Sequence, residues 1–138
     1  IAEMTKSIRE ESEVQLAKFR AIAEKELGPD TRIHTASHLG SPYGTIVEQA
    51  QLGNFDLIVM GTHGASSITN FEKFLLGSNS YRTVFSAPCP VITVRESNKK
   101  VEFKKIVLPL DLTKVTEQKV DLAIDLAKQF GSTKISYG

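Results

Sequence analysis

Residues 56–64 read Asp56-Leu57-Ile58-Val59-Met60-Gly61-Thr62-His63-Gly64. Residues 57–60 are apolar without interruption, which marks a short strand covered on both faces rather than an alternating surface strand. Gly61 and Gly64 then let the chain turn sharply, because a residue without Cβ accepts backbone conformations closed to others. Going forward, residues 65–76 are mostly small and polar, with one helical turn expected over 71–76. A helix is expected from Gly77-Ser78, with Tyr81, Val84 and Phe85 facing inward and Pro88 stopping it. Val91-Ile92-Thr93-Val94 is the next strand, and the prolines on either side of Cys89 place it at or near a sheet edge.

Going backward, residues 1–27 predict one amphipathic helix. Met4, Ile8, Leu16, Phe19, Ala23 and Leu27 recur at helical spacing among charged residues, and Gly28-Pro29 is the stop. Ile33 and Thr35 suggest a short strand over 31–37. Ser41-Pro42 opens a second helix with Ile46, Val47 and Ala50 inward, and Gly53 ends it. Beyond residue 95, the stretch 96–105 holds four lysines and reads as a linker. Ile106-Val107-Leu108 is a buried strand running into Pro109-Leu110-Asp111. Residues 115–130 form a helix with Val120, Ala123, Ile124 and Ala127 inward, capped by Gly131, and a last strand starts at Lys134. Five strands alternating with four helices predict an α/β fold with a mostly parallel open sheet, helices on both faces.

Composition narrows the function. The chain has 138 residues, 41% hydrophobic and 24% charged, which is ordinary for one folded domain. Seventeen basic residues against sixteen acidic ones leave a net charge of +1, so no bulk field grips nucleic acid or an anionic membrane. One cysteine forms no disulfide within the chain and fits a reducing compartment, and a cytoplasmic location is expected. Ile1 has neither a cap nor an initiator methionine before it, so the chain is expected to begin inside a longer one.

The chemistry concentrates at Met60-Gly61-Thr62-His63-Gly64 and at Gly77-Ser78-Asn79-Ser80. The first follows a buried strand and the second opens a helix. Glycine backbones admit a close ligand, and a helix start offers free amide N–H groups at the positive end of its dipole, both suited to phosphate. Ser78 and Ser80 add hydroxyl donors. Asp111 also follows a buried strand, and ligands of open parallel sheets sit at those carboxyl ends. Turn glycines and a helix cap with no ligand would produce the same residue types.

Residues 61–94 resemble the universal stress protein family, whose nucleotide-binding members carry G-x2-G-x9-G-[ST]. The resemblance extends through residues 56–64, Leu76-Gly77-Ser78 and Ala87-Pro88-Cys89-Pro90-Val91. Lys104-Lys105-Ile106-Val107-Leu108-Pro109-Leu110-Asp111 is similar to the family's first strand. Here residues 65–76 make twelve positions where the family has nine. The order also departs: the chain opens at the family's second helix, reaches its fifth strand, then starts a new first strand. A tandem-repeat member gives that order, with 1–97 the end of one repeat, 98–105 a linker, and 106–138 the start of the next. The resemblance implies a five-stranded parallel sheet in the order 3-2-1-4-5, completed within the chain or by exchange with a partner. A parallel return through about ten residues has no helix to make the crossover, and exchange is the favoured route. It further implies an adenine nucleotide, ATP, ADP or AMP with Mg²⁺, with base and ribose near Pro109, Asp111 and Ile135. Phosphates would lie on the backbones of Gly61, Gly64 and Gly77 and on Ser78, with Asn79 and Ser80 at the helix start and His63 facing them; Met60 completes the nucleotide-binding set. A homodimer or pseudo-dimer is expected through the strand at Val91–Val94, since an unpaired edge strand invites pairing. The family's nucleotide-free dimerisation scaffolds are the alternative.

Other chemistries lack their motifs. Neither Gly64 nor Gly77 leads into the lysine of a phosphate-binding P-loop, and G-x-G-x-x-G is absent. His34 and His38 share a strand face about 13 Å apart, too far to hold one zinc ion. No nucleophile–base pair stands out, so any ATP hydrolysis would be slow. Cys89 reads as a packing residue.

Overall fold

The computed structural model describes residues 2–62, 77–95, 102–110 and 116–137. They belong to two units, residues 1–93 and 94–138, each taken here by itself.

In the first unit, helix α1 (Ala2–Leu27) carries two i,i+4 pairs on its solvent side, Lys6–Glu10 at 3.9 Å and Arg20–Glu24 at 2.7 Å. Exposed pairs of this kind add a few tenths of a kcal/mol each, roughly. The inner stripe is narrower than its periodicity predicts: Leu16 and Ala23 are half-buried, whereas Ile8, Phe19 and Leu27 are exposed. Gly28 ends the helix at φ +80°, its N–H bonded to the Glu24 carbonyl at 3.1 Å.

The strand expected over 31–37 does not form. Thr31 instead bonds back to the helix end, its N–H on the Gly28 carbonyl and its hydroxyl on that of Leu27. Thr35, Ala36 and Ser37 then line an open groove with Arg9, Leu16 and Arg20 of α1. With Ile33 as its one large apolar residue, the segment has little to hold it in a sheet.

Helix α2 (Pro42–Leu52) starts at Ser41 with proline inside its first turn. It ends as expected at Gly53, but Asn54 takes the left-handed position, at φ +47°. The N–H groups of Asn54 and Phe55 bond the carbonyls of Gln51 and Ala50, closing a double-bonded helix end. Strands β1 (Ile58–Gly61) and β2 (Val91–Val94) neighbour each other. The Ile58 N–H reaches the Pro90 carbonyl at 3.0 Å, joining the starts of both strands as a parallel pair requires. Between them lies helix α3 (Ser78–Ser86), which packs on α2. The Arg82 guanidinium stands 5.2 Å over the Tyr43 ring.

Two burial expectations are overturned here. Strand β1 is not covered on both faces: Ile58 and Met60 are half-buried, while Val59, and Leu57 just before the strand, are exposed. On α3 the inner face is Ser80 and Thr83, and Tyr81, Val84 and Phe85 point outward, Phe85 at 83% exposure. The Ser80 hydroxyl turns inward onto the Gly61 and Thr62 carbonyls, whereas that of Thr83 bonds the Asn79 carbonyl of its own helix. Cys89 is half-buried and unpaired.

In the second unit, strands β3 (Lys105–Leu108) and β4 (Lys134–Tyr137) pair in parallel, Ile106 against Ile135 and Leu108 against Tyr137. Helix α4 (Thr116–Phe130) makes the crossover and packs on β3. Its buried centre is Ala123, flanked by half-buried Val120, Leu126 and Ala127; Ile124, expected inward, is exposed. Gly131 at φ +58° ends α4, with the Ser132 N–H on the Ala127 carbonyl at 2.8 Å. Phe103 meets Phe130 edge to face at 4.6 Å.

The architecture is therefore α/β, with four helices and four strands among the described residues. Those strands make two two-stranded sheets; the single five-stranded sheet is not formed among them. The helical turn expected over 71–76 lies outside the described residues.

Candidate functional site

The end of β1 and the start of α3 meet directly. Gly61 closes the strand with its backbone exposed, and the next residue, Thr62, is buried. The Gly77 N–H donates to the Thr62 carbonyl at 2.9 Å. Three residues on, the Ser80 hydroxyl lies 2.9 Å from the Gly61 carbonyl and 3.1 Å from that of Thr62. The two segments are thus bound to each other although fourteen residues of sequence, 63–76, separate Thr62 from Gly77.

Gly77 caps α3 in an extended conformation, φ −57° and ψ 151°, with no side chain closing the helix start. The first amides of any helix have no carbonyl partner within it. Those of Ser78 and Asn79, both exposed, stand at this start, and the first turn holds no acidic residue to repel an anion. The intrahelical ladder begins with the Tyr81 N–H on the Gly77 carbonyl at 2.9 Å. The result is an exposed glycine backbone beside a helix terminus that favours negative charge. A phosphate fits that donor set.

Of the residues singled out in the sequence, Met60, Gly61, Gly77, Ser78, Asn79 and Ser80 gather at this junction. Ser80 differs from the rest in facing inward. His63, Gly64 and Asp111 lie outside the described residues. Pro109 and Ile135 belong to the second unit, where Pro109 is exposed just past β3 and Ile135 is half-buried in β4. In the register Ile135 lies opposite Ile106. That is three residues upstream of Pro109, about 10 Å along the strand; the residue level with the strand's end is Tyr137.

Thr62, though inside the segment singled out, has no role in the sequence reading, and Thr83 escapes it. Thr83 is fully buried, its hydroxyl on the Asn79 carbonyl at 2.8 Å. The available signal was the three-residue spacing of Ser80 and Thr83, which puts two small hydroxyls on one face of a short helix. Among the described residues no three His, Cys, Asp or Glu side chains group as metal ligands. No described helix is long and apolar enough to cross a membrane.

Comparison with known proteins gives this geometry a family. The profile of the universal stress protein family matches residues 1–95. A universal stress protein of Methanocaldococcus jannaschii is 41% identical over 93 residues, 67% of this chain and 51% of that protein. A Staphylococcus haemolyticus protein named for the same family is 32% identical over 105 residues, 75% of this chain and 60% of that one. A Thermus aquaticus universal stress protein is 43% identical over 56 residues, 41% of this chain and 39% of its own length. The chain spans about half the length of the first of these relatives. No solved structure matches.

Proposed function

The chain belongs to the universal stress protein family, and on that premise we propose that it is a regulatory stress-response module that binds ATP or another adenine nucleotide. The observation that carries the reading is the 2.9 Å bond from Gly77 N–H to the Thr62 carbonyl, which sets the exposed Gly61 backbone beside the α3 amides. The phosphates rest on Gly61, Gly64 and Gly77 and on the Ser78 hydroxyl, with Asn79 at the helix start and His63 facing them. Pro109, Asp111 and Ile135 take the base and ribose positions of the repeat that residues 106–138 open. Mg²⁺ arrives on the phosphates, with little ligation from protein. Residues 106–138 stand as the opening strand–helix–strand of a further repeat. The parallel sheet is extended by strand exchange between copies, and copies pair through Val91–Val94.

Calorimetric titration with Mg²⁺–ATP tests the site. Wild type is expected to bind, and Gly61→Val or Gly77→Val to weaken binding at least tenfold with the helical circular dichroism signal retained. Unchanged affinity in both variants removes the cradle. A nucleotide-free dimerisation scaffold is the second reading, favoured by the twelve residues that separate Gly64 from Gly77; a folded dimer that takes up no nucleotide would establish it.

A further inference from the structure

Ser78 and Ser80 look equivalent as hydroxyl donors beside a phosphate, yet the structure gives them different surroundings. Ser78 is exposed, whereas Ser80 is 3% exposed. A hydroxyl has one proton to give, and that of Ser80 lies between the Gly61 carbonyl at 2.9 Å and the Thr62 carbonyl at 3.1 Å. The Thr62 carbonyl also accepts from the Gly77 N–H, which its two lone pairs allow. We infer that Ser80 is a positioning residue: it latches the end of β1 to the first turn of α3 and so sets the spacing of the backbones proposed to cradle phosphate. It is not itself a phosphate ligand.

The inference rests on the nucleotide reading above and adds to it. The gap between the Gly61 and Gly77 backbones is held by hydrogen bonds on either side of it, from Gly77 to Thr62 and from Ser80 to Gly61 and Thr62. It does not follow from how many residues the connection contains. Three more residues than the family pattern therefore leave the two sides of the cradle in place. A latch of this kind acts on the phosphate end of a nucleotide and leaves the base and ribose untouched, which separates it from a general contribution to folding.

The test compares wild type with Ser80→Ala, using Mg²⁺–ATP and adenosine as ligands and amide hydrogen exchange as a second readout. A buried hydrogen bond is worth about 1 kcal/mol net, or roughly fivefold to tenfold. The expected result is ATP affinity lower by about that factor, adenosine affinity within twofold of wild type, and faster exchange at the Gly77 amide with the amides of α2 and α3 unchanged. Ser80→Cys, which keeps the volume and donates weakly, is expected between the two and covers the case in which the alanine variant does not fold. ATP affinity that is unchanged, or that falls together with adenosine affinity, overturns the latch while the nucleotide reading survives. Wild type that binds neither ligand overturns both. Exchange at Gly77 that is unaffected by the substitution overturns the latch by itself.

Discussion

Asn54 is the one described non-glycine residue with a positive φ, +47°. It sits where the chain leaves α2 for β1, and the two bonds that close the helix end depend on that conformation. A left-handed residue costs about 1–2 kcal/mol when it carries an ordinary side chain, and asparagine tolerates it better than most. Asn54→Val is therefore expected to lose about 1–2 kcal/mol of stability in urea unfolding, and Asn54→Gly to stay within about 0.5 kcal/mol of wild type. At this scale the sequence is an uneven guide. Gly28 and Gly131 announce helix ends because their backbone freedom is written in the residue itself, and both stand at positive φ; Gly53 marks the end of α2 at φ −90° without using that freedom. The inward turn of Ser80 depends on carbonyls nineteen positions back, and spacing along the chain carries no sign of them. The same holds for Thr83, whose burial follows from how α3 packs on α2.

Elements were readable wherever a periodicity or a breaker imposed them. All four helices follow from apolar spacing with a proline or glycine at an end, β1, β2 and β3 from short, mostly apolar runs, and β4 from its place after the stop at Gly131. The 31–37 segment failed because alternation alone, with Ile33 as the one large apolar residue, does not fix a strand without neighbours to bond it. The facing of elements was less readable than their existence. Tyr81, Val84 and Phe85 follow helical spacing as well as any core stripe, and periodicity does not say which stripe a short helix buries. The cap of α4 isolates a conformational effect from a packing one. A Cβ built on Gly131 meets nothing within 4 Å, yet the residue stands at φ +58°. Gly131→Ala is expected to destabilise the second unit by about 1 kcal/mol through backbone strain alone. Urea unfolding of the full chain measures it, with an unchanged midpoint as the contrary result.

Across the whole chain, each unit holds a parallel pair with apolar side chains left in water: Val59 on β1, with Leu57 just before it, and Val107 at 79% exposure on β3. Parallel sheets ordinarily have both faces covered, and two strands alone are marginal in water. The order of elements was legible, since the alternation of strands and helices needs only local signals. The two pairings, β1 with β2 and β3 with β4, are also neighbours in the expected order 3-2-1-4-5; a single sheet joining all the strands was expected and does not form among the described residues, since pairing of that kind is decided between segments distant in sequence. The bare faces and the half-buried β2 together motivate association through Val91–Val94. Native mass spectrometry of the chain with and without Mg²⁺–ATP is expected to show a dimer carrying one nucleotide mass per subunit. Ile92→Lys places a charge on that strand, the device by which natural edge strands resist pairing, and is expected to shift the population to monomer. A wild-type monomer at micromolar concentration would refute association. A dimer indifferent to Ile92→Lys would move the contact away from β2, to another of the exposed apolar faces.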